Sequence, residues 1–211
     1  MKVTLLNYTK NGIKLIADSV RVSGPFFDSK SDRDLTRYMI KHDFTSTIEH
    51  VSFTFLLKDI SIAISRELLE HRLASHTARS TRYSDEGETD FYYPKFSCEK
   101  DKKTYEKTLQ YIQEQYVKLK ESCGYEVARY VLPLATNCIY IWTINARSLI
   151  NFLRLRLCKN AAPEMQELAK KVKRIVEKIY PEIFDSIDCR GSQYKICPEP
   201  DKRNCGKYPH K

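Results

Sequence analysis

With 211 residues, 42% of them hydrophobic, the chain carries enough apolar surface for one substantial core. No apolar run approaches the roughly 18 residues of a membrane span, and "MKVTLLNYTKNGIKLIADS" is interrupted by Asn7, Lys10, Asn11 and Lys14 before it could act as a signal sequence, so a cytoplasmic protein is expected. A net charge of +9 favours partners that carry phosphate, nucleotides or nucleic acid, without choosing between them.

The elements follow in chain order. Ser and Asp open "SKSDRDLTRYMIKHD" as candidate caps, and Leu35, Tyr38 and Met39 then fall on one face, which predicts a helix. "HVSFTFLLKD" alternates Val51, Phe53 and Phe55 with smaller or polar residues and predicts a strand. "ISIAISRELLEHRLA" reads as a helix entered from Asp59, with Ile60, Ile64 and Leu68 in line and Arg72 and Leu73 a turn further on. After the turn-rich "SDEGETD", residues 102–122 carry Tyr105, Leu109, Ile112, Tyr116 and Leu119 at spacings of three and four, an amphipathic helix. "ATNCIYIWTIN", rich in β-branched and aromatic residues, predicts a second core strand, followed by helices over "ARSLINFLRLRL" and "PEMQELAKKVKRIVEKIY". This order lacks a regular βαβ repeat, so the expected class is α+β: one domain over residues 1–188, a mixed or antiparallel sheet flanked by long helices, then a basic tail over 189–211.

Charge and cysteine placement add little specificity of their own. Eight basic residues face three acidic ones between Arg154 and Lys178, but Lys170, Lys171, Lys173 and Lys178 interleave with Leu168, Val172, Ile175, Val176 and Ile179 as a solvated helix face would. Seven cysteines, an odd number and spread out, read as free thiols, with Cys138 and Cys158 as simple buried ones. Only Cys189, Cys197 and Cys205 are evenly spaced. Without a C-x-x-C pair, a zinc site with His210 has weak support, and an irregular basic tail is the expectation.

Motifs that are missing narrow the chemistry. None of the six glycines forms a Rossmann fingerprint or a P-loop, so any phosphate must be held by side chains. H-E-x-x-H and G-x-S-x-G are also absent. Three polar clusters remain: His71, Arg72, Ser80 and Arg82; Glu126 and Arg129; and Asn145, Arg147, Asn151 and Arg156. In the third, Asn145, Ser148 and Phe152 share one face and Leu149, Leu153 and Leu157 another, so the polar positions could all face solvent. Asn145 and Asn151 are nevertheless poor choices for a solvated helix. Carboxamides and guanidinium groups together suit the edges of a phosphate or heterocycle.

These residues carry a resemblance. "EHRLASHTARSTRYS" resembles the signature of flavin-dependent thymidylate synthases, the ThyX family: Arg-His-Arg, seven residues, then Ser, commonly continuing to Arg-Tyr. His71, Arg72, Ser80, Arg82 and Tyr83 stand at the matching places. "STIEHVSFTF", "EVARYVLPL" and "WTINARSLINFLRLR" resemble the flanking segments in order, so the likeness spans roughly residues 15 to 185.

The resemblance implies an α+β homotetramer whose active sites combine residues of several subunits. It implies methylation of dUMP to dTMP, with 5,10-methylenetetrahydrofolate as carbon donor and FAD, reduced by NADPH, as hydride carrier. Carried over by position, Ser46, His71, Arg72, Asn145, Arg147 and Asn151 would contact FAD. Ser80 and Arg82 would hold dUMP, with Glu67 and Glu70 close by and Arg129 reaching in from a neighbouring subunit. Arg156 would lie against the uracil and stabilise charge developing on the ring, as an oxyanion hole does. No enzyme nucleophile is then needed; Ser80 has no base adjacent in sequence, and phosphate binding explains it with fewer assumptions.

Some positions depart from the family pattern. Glu70 stands where the signature begins with Arg, an anion for a cation. Thr77 and Ala78 occupy places often held by Asn and Glu, Phe44 a place where His occurs, and Asn160 that of a His near the flavin. Two alternatives accompany the leading reading: a flavin- and nucleotide-binding relative without turnover, for which Glu70 is the discriminating feature, and a basic nucleic-acid-binding protein. The latter is not expected, because the arginines sit in motif positions and the aromatics on core-like faces.

Overall fold

Alternation at every second residue and recurrence at every third or fourth divide the chain into the elements of the computed structural model, which describes residues 1–24, 27 and 29–210. In order these are β1 (Lys2–Tyr8), α1 (Gly12–Ser23), α2 (Asp32–Lys41), a 3-10 turn (Ser46–His50), β2 (Ser52–Ser61), α3 (Ile62–Leu69), β3 (Ala74–Ala78), α4 (Glu99–Cys123) and α5 (Tyr125–Ala128). A second 3-10 turn (Arg129–Val131) leads to β4 (Asn137–Asn145), α6 (Ala146–Arg156), α7 (Pro163–Ile179), α8 (Pro181–Phe184) and α9 (Arg190–Tyr194). The strands form one sheet in the order β1-β2-β4-β3. This is the α+β class expected from the pattern. Among the described residues, no helix is long and apolar enough to cross a membrane.

The register of the two central strands can be read from their bonds. Ala146 donates to the Val51 carbonyl, Thr54 and Thr143 share a hydroxyl bond of 3.0 Å, and Ile62 donates to Thr136. One index falls as the other rises, so β2 and β4 run antiparallel.

The chain packs as two compact units, residues 1–2, 56–70 and 76–141 in the first and residues 3–55, 71–75 and 142–211 in the second. In the second, the period of two buries Phe53 and Phe55 from one strand and Trp142 and Ile144 from the other. Phe55 lies 5.9 Å from Trp142, and Phe53 meets Tyr180 and Phe184 edge-on. Helix α7 starts at Pro163 and buries Met165, Leu168, Ala169, Val172 and Val176, leaving its lysines outside. Gly12 is required at the head of α1. A Cβ there would meet the Tyr180 hydroxyl at 2.8 Å and the Val51 side chain at 2.9 Å, and the Gly12 amide donates to that same hydroxyl.

In the first unit, the turn-rich stretch after β3 is pinned to α4. The Glu86 amide donates to the Tyr116 hydroxyl, the Gln113 carboxamide donates to the carbonyls of Glu86 and Gly87, and Lys120 pairs with Asp85 at 2.8 Å. The buried Glu86 carboxylate is met by Arg79 at 3.1 Å. Only Leu109 and Tyr116 of the apolar α4 stripe are fully buried.

Two boundaries differ from the sequence reading. The helix expected from residue 60 begins at Ile62, because β2 continues through Ile60 and Ser61 caps the helix by accepting from the Ile64 amide. It ends at Leu69, and Ala74–Ala78 is a strand rather than its continuation or exit. Nor is residues 189–210 irregular throughout: it contains α9 and a short bridge between Cys197 and His210. Cys138 is buried, whereas Cys158 is half-buried.

Candidate functional site

The expected ligand-binding residues fall in two clusters, one in each unit. The cluster in the second unit is built on α6. Asn145 caps this helix, its side chain accepting from the Ser148 amide at 2.8 Å, which is the role asparagine fills best at a helix start. Its presence therefore has a local cause as well as any ligand-related one. Phe152 does not face solvent with Asn145 as the helical spacing allowed. It is fully buried, its ring 4.9 Å from that of Trp142 and 4.9 Å from that of His71, both edge-on.

His71 thus stands on an aromatic floor, 6% exposed. Its Nε2 accepts from the Arg156 Nε at 2.9 Å. An accepting Nε2 places the imidazole proton on Nδ1, so the pair combines a neutral ring with a fixed cation. Arg147 is held by Glu49 at 2.5 Å, in the 3-10 turn that begins with the exposed Ser46. Arg154 lies 3.5 Å from Asp43. Arg72 and Asn151 are exposed. The sequence gives no signal for Glu49 or Asp43, and helical spacing sets Phe152 beside Asn145 and Ser148 without marking it as the ring beneath His71. Glu49 lies within "STIEHVSFTF", but an isolated glutamate gives no sign of its distant arginine.

The cluster in the first unit follows β3. Ser80 closes a turn: its hydroxyl accepts from the Arg82 amide at 3.3 Å, and its carbonyl accepts from Tyr83 and Ser84. Arg82 then donates from Nε to Glu126 at 2.6 Å, and Arg129 reaches the other oxygen of the same carboxylate at 3.3 Å. Arg82 lies over the Tyr83 ring at 5.3 Å and Arg129 over the Tyr130 ring at 5.1 Å. The Arg82 hydrogen bond holds the Glu126 carboxyl below the usual carboxylate range, with the charges of Arg82 and Arg129 acting in the same sense. Two cations thus share one anion, and the Nε of Arg129 is buried with no hydrogen-bond partner among the described residues. Such a group is suited to a phosphate, which would supply the missing acceptors. Within one chain, then, Arg129 is already tied to Arg82 through Glu126. Glu67 is half-exposed on α3, and Glu70 is exposed just past its end.

A buried aromatic floor carrying an imidazole–guanidinium pair, with exposed Arg72 and Arg147 alongside in the second unit, suits a planar heterocycle that also bears negative charge. Flavin dinucleotides have both features, so the donors present fit such a group. No three or more His, Cys, Asp or Glu residues among those described are arranged to hold a metal ion.

Comparison with known proteins points the same way. The family model described as thymidylate synthase complementing protein matches residues 4–182. The flavin-dependent thymidylate synthase of Sulfurisphaera tokodaii is 35% identical over 198 residues, covering 87% of this chain and 76% of that protein. That of Clostridium tetani is 30% identical over 237 residues, covering 98% and 94%. A crystal structure of the Helicobacter pylori flavin-dependent thymidylate synthase complexed with FAD and dUMP superimposes with a TM-score of 0.75 at 24% identity, covering 89% of this chain and all of that one.

Proposed function

The chain belongs to the flavin-dependent thymidylate synthases, and we propose that it converts dUMP to dTMP with 5,10-methylenetetrahydrofolate as carbon donor and NADPH as reductant of a bound FAD. Ser46, His71, Arg72, Asn145, Arg147 and Asn151 are the residues assigned to FAD. Ser80, Arg82 and Arg129 are assigned to dUMP, with Glu67 and Glu70 nearby. When bound, the flavin supplies hydride chemistry that no side chain offers. The residues themselves bind, orient and compensate charge.

The observation that carries this reading is the Arg156–His71 bond on the Phe152 ring. A guanidinium held through Nε keeps a fixed direction, so it meets charge developing on a pyrimidine ring without reorganising, and it needs no enzyme nucleophile. At the other cluster, Glu126 keeps two arginines close together before any phosphate arrives. Assembly as a cytoplasmic homotetramer with shared active sites belongs to the same proposal. Exposed Tyr130, Val131, Leu134, Ile139 and Ile141 in the first unit supply apolar surface for it.

The test is dTMP formation, followed by mass spectrometry, from dUMP, 5,10-methylenetetrahydrofolate, NADPH and added FAD. Product should require FAD, and Arg156→Ala should lower turnover on the order of 100-fold or more. Folded protein that binds FAD and dUMP but yields no product under anaerobic conditions would sink the assignment of turnover and leave a binding protein.

A further inference from the structure

The family match ends at residue 182, but ordered packing continues well past it. Ile187 is 3% exposed and Cys197 8%. Gly191 has no room for a side chain, since a Cβ there would lie 2.7 Å from the Tyr208 ring. The Cys197 amide donates to the Pro209 carbonyl at 2.7 Å, and Lys207 pairs with Asp188. The tail therefore closes on itself as a small folded loop.

Where that loop lands connects it with the reaction. Helix α6 ends at Arg156, and a short connection leads to α7 at Pro163. Asn160 in this connection donates from Nδ2 to the Glu199 carboxylate at 3.2 Å and to the Arg203 carbonyl at 2.9 Å, both in the tail. From the other side, the Gln166 carboxamide of α7 donates to the carbonyls of Lys159 at 3.1 Å and Ala161 at 2.7 Å. Leu155 and Leu157, the two neighbours of Arg156, line a cavity of about 220 Å³ together with tail residues that include Cys189, Cys197 and Cys205. The connection that follows α6 is thus held by the tail through Asn160 and by α7 through Gln166.

We propose that the tail braces Arg156, with Asn160 as the positioning residue that links the two. This rests on the assignment of Arg156 above. Asn160 stands where the family pattern has a His near the flavin, but here its carboxamide is turned to Glu199 and Arg203 of the tail, and in this scheme it acts through Arg156 rather than on a ligand. It fixes the segment that follows the helix, and so the direction in which the Arg156 side chain leaves its last turn.

Because Asn160 acts through donated hydrogen bonds, Asn160→Ala and Asn160→Asp both remove the link, whereas Asn160→Gln keeps the donor. Misplacement of a reacting group by about 1 Å costs up to about 100-fold in rate. Asn160→Ala and Asn160→Asp should lower kcat by about 10- to 100-fold, more than they raise KM for dUMP, and Asn160→Gln should recover most of the loss. In an Arg156→Ala background, Asn160→Ala should cost less than about twofold more, since the group it positions is gone. Equal losses in both backgrounds would overturn the proposal, as would unchanged kcat in folded Asn160→Ala protein. Hydrogen exchange over residues 150–157 tests the brace without turnover. Faster exchange in Asn160→Ala supports it even if the parent makes no dTMP, and unchanged exchange refutes it, so failure of the brace and failure of the functional assignment are told apart.

Discussion

Phe152 connects the fold to the proposed chemistry, and replacing it should be felt in both. The ring is wholly buried against Trp142 and His71, 4.9 Å from each and edge-on to both. Edge-to-face pairs contribute about 0.5–1.5 kcal/mol each beyond area burial. Phe152→Leu preserves helix propensity and most of the apolar volume, so its cost is chiefly the two lost ring contacts, about 1–3 kcal/mol. Phe152→Ala adds a cavity and should reach about 3–5 kcal/mol. Trp142 is the sole tryptophan of the chain, so its fluorescence reports on this position directly. In urea at one fixed concentration of flavin-free protein, an unfolding slope of about 2–3 kcal/mol per molar places the Leu midpoint about 0.3–1.5 M below that of the parent. The same variant should weaken FAD binding, because His71 loses its floor. A Leu variant with the parental midpoint and parental FAD affinity would refute the reasoning: the aromatic stack would then be neither an energetic feature nor a support for the site.

Three further outcomes follow from the same geometry. Arg82→Ala and Arg129→Ala should each raise KM for dUMP by about 10- to 100-fold, the range of one lost hydrogen bond from a charged group, with a smaller change in kcat; steady-state kinetics at constant ionic strength decides this, and an unchanged KM removes the residue from the phosphate site. Burial, aided by the nearby Cys138, pushes the Tyr140 phenol up to about 12, and its hydroxyl shares a 2.9 Å bond with the His76 Nδ1. A raised folded value means that the stabilisation is intact below the unfolded pKa near 10 and is lost as pH rises toward 12, by at most about 2–3 kcal/mol. Tyr140→Phe should flatten the loss of stability seen by urea unfolding over that window, and parallel curves would contradict it. Glu70 follows the last residue of α3, where the helix dipole disfavours an anion. Glu70→Arg should therefore raise thermal stability slightly and improve dUMP or FAD affinity by about two- to fivefold; calorimetric titration showing weaker binding would mean that the glutamate itself is a ligand.

What could be read in advance followed burial. Strands β2 and β4 occupy the centre of the sheet and bury alternate large side chains, so their pattern was plain. Strands β1 and β3 lie at its edges, where Lys2, Thr4 and Leu6, or Ser75 and Thr77, are exposed and the residues between them are only half-buried, so their alternation carries too little apolar contrast to mark a strand. The start of α3 was misplaced because Ile60 suits a strand and a helix equally, and only the hydrogen bond of the Ser61 cap decides between them. Of the proposed site residues, the family signature picks out His71, Arg72, Ser80 and Arg82, and the resemblance of a flanking segment picks out Arg156. Neither could show that Arg82 and Arg129 share Glu126 or that Arg147 pairs with Glu49, since those partners are separated by 44 and 98 positions.

That separation explains why the polar residues of this chain looked more ambiguous in one dimension than they are in three. Arg82, Arg129, Arg147 and Arg154 each have a carboxylate partner, so none is simply a solvated cation, and the positive charge of the chain is in part already compensated within it. Arg156 is held through its Nε by an imidazole, and the accepting His71 ring adds no charge of its own at that position. A carboxylate in that place would hold the side chain equally well but would screen the charge that a developing anion needs. His71→Glu or His71→Asp should therefore preserve the orientation of Arg156 yet lower kcat by about tenfold or more, whereas His71→Gln, which offers a neutral acceptor, should retain more turnover. Rates ranked Glu above Gln would show that Arg156 is needed for its position alone and would remove electrostatic stabilisation as its role.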